Sequence, residues 1–173
     1  MPEILPAFDP PVLLTEAHDS AAFDSGEPVL DDWLRHRAME NLRVAASRTY
    51  VVCPVGSQKV AGYFALSMGQ ILAHEVIGSM RRNMPKAIPA VVLGRLAIDR
   101  QWQGRGLGRA MLADVIVRAL RASTEVSARL VIVHAISPAA ETFYLHHGFT
   151  RLPVEAPTFA LDLVKYQQIV STT

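Results

Sequence analysis

The stretch from Leu93 to Gly108 constrains this chain more than any other. An apolar run, Leu93-Gly94-Arg95-Leu96-Ala97-Ile98-Asp99, reads as a strand and leads through a tight turn into Gln103-Gly104-Arg105-Gly106-Leu107-Gly108. The glycines then open a helix marked by Leu107, Met111, Val115, Ile116 and Ala119, expected to be the most amphipathic in the chain. Backbone N–H groups at such a helix start have no internal partner and sit at the positive end of the helix dipole. Glycines let a bulky anion approach them without meeting side chains. The local physics specifies a cradle for phosphate, and for pyrophosphate in particular.

Three glycine patterns compete for that cradle. A P-loop requires a lysine and a hydroxyl after its last glycine, and neither is present. A dinucleotide loop requires a third glycine where this chain has Arg109, although Glu125 is spaced for a ribose contact. The spacing that survives is Gln103-x-x-Gly106-x-Gly108, with Arg105 and Arg109 placed to meet phosphate charge. A glycine-rich connection with no ligand stays open on spacing alone.

A length of 173 residues fits one domain, 1–173, able to bury about two-thirds of its unfolded surface. Half the residues are hydrophobic and the net charge is +1, which excludes a disordered or polyanion-coating chain. Any nucleic-acid site must therefore be a local patch. The single cysteine, Cys53, lies in an apolar run and is expected to be a buried thiol. The opening Met1-Pro2-Glu3-Ile4-Leu5-Pro6 lacks a basic region and is not expected to be a signal peptide. No run approaches the ~18 to 20 apolar residues that span a bilayer, so the expectation is a cytoplasmic protein with no membrane partner.

Pattern reading gives an edge strand at 10–14 and then one helix from Pro28, with Leu30, Trp33, Leu34, Ala38 and Leu42 on one face and Arg35, Arg37 and Arg43 on the other. A hairpin of strands 48–53 and 60–68 follows. After an irregular stretch from His74 to Pro89, residues 90–99 form a central strand covered on both faces. Residues 130–135 form a second buried strand, a short helix runs from Pro138 to about His147 and stops on Gly148, and a late strand at 159–164 precedes a polar tail. Strands on either side of a β-α-β unit predict a mixed α/β sheet.

This order of elements, together with the Gln103-x-x-Gly106-x-Gly108 loop, resembles the GNAT superfamily of acetyltransferases across nearly the whole chain. The resemblance implies a mixed central sheet, flanked by helices, whose fourth and fifth strands splay apart to admit acetyl-CoA. The fourth-strand backbone at Leu96, Ala97 and Ile98 would pair with the pantetheine amides. Gln103, Gly104, Arg105, Gly106, Leu107, Gly108 and Arg109 would hold the pyrophosphate. Further segments resemble the GNAT toxins of toxin–antitoxin pairs: Phe23-Asp24-Ser25-Gly26 with Leu30-Asp31-Asp32-Trp33-Leu34, Ile88-Pro89 before Leu93-Gly94-Arg95-Leu96-Ala97, and Phe143-Tyr144 before Gly148-Phe149. Ser25 stands where many members carry cysteine. The resemblance implies acetylation of the amino group of aminoacyl-tRNA, a block to translation, a ribbon-helix-helix antitoxin and a homodimer.

The chemistry needs a neutral amine to attack the thioester and a proton for the departing thiolate. Tyr144, at the position where the resembling family keeps a tyrosine, stays protonated at neutral pH with an ordinary pKa of about 10. No strong general base is evident; Asp99 and Glu141 could still act through water, and by default read as solvent-facing charges. An α-amino group, with pKa about 8, needs less help than a lysine at about 10.4, which is compatible with an aminoacyl ester. Arg81, Arg82 and Lys86, joined by Arg35, could meet tRNA phosphates, or be ordinary solvated charge. His146 and His147 point about 100° apart on a helix, and His134 reads as a core histidine, so no metal is expected. A GNAT enzyme of a small amine or of protein N-termini, and a CoA-binding sensor without turnover, are the alternatives.

Overall fold

The computed structural model describes residues 7–173, so the reading of Met1 to Pro6 lies outside the described residues. Seven strands among them join in one sheet ordered β1-β2-β3-β4-β5-β7-β6: β1 Val12–Leu13, β2 Arg48–Val52, β3 Gly62–Leu72, β4 Ala87–Ile98, β5 Leu130–His134, β6 Thr150–Arg151 and β7 Thr158–Asp162. The β4–β5 pair is parallel, whereas β1–β2, β2–β3, β5–β7 and β6–β7 are antiparallel, giving the mixed α/β sheet expected of a GNAT fold. Helices are α1 Pro28–His36, α2 Ala38–Arg43, α3 Gly78–Arg81, α4 Leu107–Glu125, α5 Pro138–His146 and α6 Leu163–Ser171. Backbone contacts gather the chain into two units. One holds the chain up to Leu66 together with Arg95–Asp114; the other holds Ser67–Gly94 and Val115–Thr173.

In the first unit β2 and β3 form the expected hairpin, registered from Arg48↔Leu66 to Val52↔Gly62. The edge strand predicted over five residues shrinks to the two of β1. Pro28 starts α1, where its missing N–H costs no helical bond. The single helix predicted here is two: Arg37, at φ −124°, breaks it before Ala38. Leu30, Leu34 and Ala38 still face one core with Phe23, Val51, Cys53 and Tyr63. The Cys53 thiol is buried as expected, and burial pushes its pKa up. Gly62 lets β3 approach α4, since a Cβ there would lie 2.8 Å from the Met111 sulfur. Apolar and charged residues separate more sharply on α1 than on α4, against the expectation that α4 is the most amphipathic helix.

In the second unit β4 begins at Ala87 and so contains Pro89, which the sequence reading placed outside the strand. The proline is tolerated because pairing with β5 starts one residue later, at Ala90↔Leu130, while its carbonyl accepts the Arg129 N–H at 2.9 Å. That pairing ends at Leu93↔Val133, and β4 continues to Ile98. Coverage on both faces ends there too: Ala90, Val91 and Leu93 are buried, whereas Gly94 is exposed and Arg95, Leu96 and Ile98 are half-buried. His134 is also unlike its prediction. It ends β5 exposed, with Nδ1 3.0 Å from the Thr158 hydroxyl. The polar tail is helix α6, capped by Asp162, whose carboxylate accepts the Val164 and Lys165 N–H groups. Strand β6 was not predicted; two residues carry too little pattern to read.

Candidate functional site

The glycine loop is built by a short chain of local bonds. Asp99 follows β4 and caps a single 3₁₀ turn, Arg100–Trp102, by accepting the Gln101 N–H at 2.9 Å. Its second oxygen accepts the Asp24 N–H at 3.0 Å, and its own N–H donates to the Ala61 carbonyl. Asp99 is therefore a structural tie, not the solvent-facing charge the sequence suggested. Beyond the turn Gly104 and Gly106 adopt φ of +74° and +83°, a region costly to residues with a Cβ. A Cβ on either would meet nothing within 4 Å, so the space over the loop is open.

Helix α4 starts immediately afterwards, its first bond running from Ala110 N–H to the Gly106 carbonyl at 3.1 Å. The N–H groups of its opening turn precede any helical acceptor and point out at the loop. Leu107 buries its side chain and anchors the loop, contributing only backbone to the open side. Arg105 and Arg109 are exposed, and the Arg105 guanidinium lies 5.5 Å from the Trp102 ring, which Phe8 meets edge-on. Donors, positive charge and empty space coincide here, so the residues present fit a pyrophosphate.

Upstream, Leu96 and Ile98 are half-buried and Ala97 is buried. The Ala97 carbonyl faces β3, since a Cβ on Gly62 would lie 3.2 Å from it. In an extended strand neighbouring residues direct their N–H and C=O to opposite edges. Leu96 thus turns both groups away from β3. The Ile98 carbonyl accepts the Gln103 side-chain amide at 2.8 Å. Gln103 was expected to touch cofactor; its Nε2 also donates to the Ser25 carbonyl at 2.8 Å, a contact that sequence reasoning missed.

Tyr144 lies in the other unit, on α5. Ser137 caps this helix by accepting the Ala140 N–H, Pro138 takes the first position, and Gly148, at φ +87°, terminates it as predicted. The Tyr144 ring is buried beside Phe143, Phe149 and Phe159, with centroids at 5.2, 5.5 and 6.4 Å. Burial drives the phenol's pKa well above its ordinary value. Glu141 on the same helix is tied to Arg151 at 2.7 Å.

Arg81, Arg82 and Lys86 are all exposed along the connection from α3 to β4, as a phosphate-binding patch requires. Arg35 is different. It is partly buried and donates to the Phe23 carbonyl at 2.7 Å and to Asp32 at 3.1 Å, which gives it a structural role. No group of three or more His, Cys, Asp or Glu side chains among the described residues could hold a metal ion. Among the same residues no helix is long and apolar enough to cross a membrane.

The family model of the acetyltransferase (GNAT) domain matches residues 47–151. A tRNA-acetylating toxin of Mycobacterium tuberculosis is 40% identical over 158 residues, spanning 91% of this chain and 93% of the toxin. Among solved structures, AtaT complexed with acetyl-methionyl-tRNAfMet superposes with a TM-score of 0.88 at 28% identity, covering 95% of this chain and 99% of AtaT. A tyrosine-to-phenylalanine mutant of AtaT, bound to the C-terminus of the antitoxin AtaR and to acetyl-CoA, gives 0.80 at 27% identity over 95% and 99% of the two chains. A loop with two left-handed glycines opens α4 inside the matched span, and the likeness to the mycobacterial toxin runs over nine-tenths of both chains: the chain belongs to the GNAT acetyltransferase family.

Proposed function

We propose that this protein is an acetyl-CoA-dependent N-acetyltransferase that modifies the amino group of aminoacyl-tRNA and acts as the toxin of a toxin–antitoxin pair. The observation that carries the reading is the 40% identity, over nine-tenths of both chains, to a tRNA-acetylating toxin. The reading extends to a single working domain of 173 residues, a cytoplasmic site of action where charged tRNA is found, a ribbon-helix-helix antitoxin and a homodimer.

Acetyl-CoA, when bound, supplies the acetyl group as a thioester. The chain's own residues do the rest. Backbone N–H groups of Gly104 to Gly108 and the opening turn of α4 hold the pyrophosphate, with Arg105 and Arg109 adding charge. Leu96 turns an N–H and a C=O away from β3, which suits pairing with an amide of the pantetheine arm, as an added strand pairs with a sheet edge.

In the transfer the acceptor nitrogen forms a bond to the acetyl carbon, the carbon–sulfur bond breaks, the amine releases one proton to water, and the departing thiolate takes one up from water. Tyr144 offers its O–H to the departing sulfur. Its raised pKa keeps that proton in place throughout the working range, so it acts as a hydrogen-bond donor to developing thiolate charge. Arg81, Arg82 and Lys86 meet the tRNA backbone.

The test uses tRNA charged with the full set of amino acids, acetyl-CoA and the purified protein. Peptidyl-tRNA hydrolase releases N-acetylated aminoacyl groups and leaves free aminoacyl-tRNA intact. Conversion to a hydrolase-sensitive form, with none on uncharged tRNA, together with growth arrest on expression without antitoxin, supports the reading. No conversion with any amino acid overturns it.

A further inference from the structure

The Gln103 side chain bridges two pieces of backbone far apart in sequence. Its single amide nitrogen donates to the Ser25 carbonyl and to the Ile98 carbonyl, both at 2.8 Å. A carboxamide nitrogen has two hydrogens, so both are committed to protein carbonyls. Around this bridge the Asp24–Gly26 turn and the Asp99–Trp102 turn are bonded reciprocally. Asp24 N–H reaches Asp99 Oδ2 at 3.0 Å, Arg100 N–H reaches the Asp24 carbonyl at 2.8 Å, and Arg100 Nε lies 3.3 Å from Asp24 Oδ1. On the far side Ser25 is fixed in turn, its N–H and hydroxyl both donating to Asp31 Oδ1, at 3.0 and 2.6 Å. Asp31 belongs to α1 and is buried.

We infer that Gln103 is a positioning residue: it sets the anion loop by clamping its start to the Ser25 turn and to the end of β4, and does not itself touch the anion. The inference rests on the reading that this loop holds the pyrophosphate of acetyl-CoA. Gly104, Gly106 and Gly108 leave the loop with little side-chain packing of its own. Glycine-rich backbone also loses more conformational entropy on ordering than other backbone. A donor placed just before Gly104, with both hydrogens on fixed carbonyls, supplies that order before the ligand arrives. The same bonds run on through Ser25 to Asp31, so the anion loop and the first turn of α1 are held as one piece.

The experiment compares wild type, Gln103→Met and Gln103→Glu, each checked for a cooperative thermal transition. Neither replacement can donate to both carbonyls. Acetyl-CoA affinity is measured by calorimetry, and amide hydrogen exchange is followed in the ligand-free proteins. The expected result is about tenfold weaker acetyl-CoA binding for both variants, from the loss of two neutral hydrogen bonds. Ligand-free exchange at Arg100 and Trp102 N–H should also become faster, with the acceptor KM unmoved. Weaker binding with unchanged exchange in the ligand-free variants would show that Gln103 contacts the ligand directly and overturn the inference; so would unchanged binding. Failure of wild type to bind acetyl-CoA would instead remove the proposed function.

Discussion

Arg129 and Asp162 form a two-pronged ion pair, Nε to Oδ1 and Nη2 to Oδ2, each at 2.9 Å. Only 18% of the arginine side chain and 8% of the aspartate side chain are exposed. The pair stands where β5 begins and β7 ends, and the same carboxylate caps α6. Although burial opposes ionisation of Asp162, the Arg129 guanidinium and the Val164 and Lys165 N–H groups more than offset it and hold the carboxyl below its ordinary pKa.

Asp162→Asn should therefore destabilise the protein by about 2 kcal/mol at pH 7, because it leaves a half-buried guanidinium without its counter-charge. A carboxylate whose folded pKa is depressed contributes stability above its unfolded value, near pH 4, and loses that contribution as pH falls through the folded value. Wild type should lose stability steeply on acidification, whereas the asparagine variant starts lower and falls less. Urea denaturation across pH 3 to 7 measures both curves; parallel curves would contradict the assignment.

Gly106→Val should raise the acetyl-CoA dissociation constant at least tenfold. Two effects act together: a β-branched residue is strained at φ +83°, and its side chain fills the open space where the anion must come. Calorimetry on the folded variant reads the affinity. Gly56→Val separates the two effects, since Gly56 has similar geometry, φ +78° with open space above it, outside the loop, and should carry only the strain.

The loop was legible in the sequence because every cue was local: Gln103, Gly106 and Gly108 lie within six residues, directly after an apolar strand. The stop of α5 at Gly148 was legible for the same reason. What Gln103 does was not, because its partner at Ser25 is 78 positions away and is a backbone carbonyl, which leaves no side-chain signature. Helix α6 was missed because Lys165, Gln167 and Gln168 mask a short apolar face, although Asp162 before Leu163 is a capping signal that could have revealed it. In the sequence the central strand reads as covered on both faces because its residues are nearly all apolar. Composition does not register that pairing with β5 stops at Leu93.

Tyr144→Phe should lower single-turnover acetyl transfer by a factor of roughly a hundred while leaving acetyl-CoA affinity within twofold, since the ring and its aromatic contacts stay and one hydroxyl goes. The pH dependence discriminates further. Transfer by wild type should rise with pH as the acceptor amine loses its proton, near pH 8, and then level off. Because burial raises the Tyr144 pKa, no falling limb should appear near pH 10. A phenylalanine variant within twofold of wild type, or a falling limb in wild type that the phenylalanine variant retains, would exclude this tyrosine as the donor.

Arg81→Ala with Arg82→Ala should weaken use of charged tRNA most at low salt and progressively less as salt rises. The lost contribution is electrostatic, and added ions screen what remains of it in wild type. Both side chains are exposed beside α3, so their removal should leave the thermal transition unchanged. Each lost phosphate contact should reduce the slope of log affinity against log salt by roughly 0.7 to 0.9. Measuring the tRNA KM from 50 to 300 mM salt gives both slopes. Identical slopes with no loss in tRNA use would place the tRNA backbone elsewhere on the protein. Equal losses at every salt concentration would mean that the two arginines act through shape or packing, and the patch would then have no part in holding the acceptor.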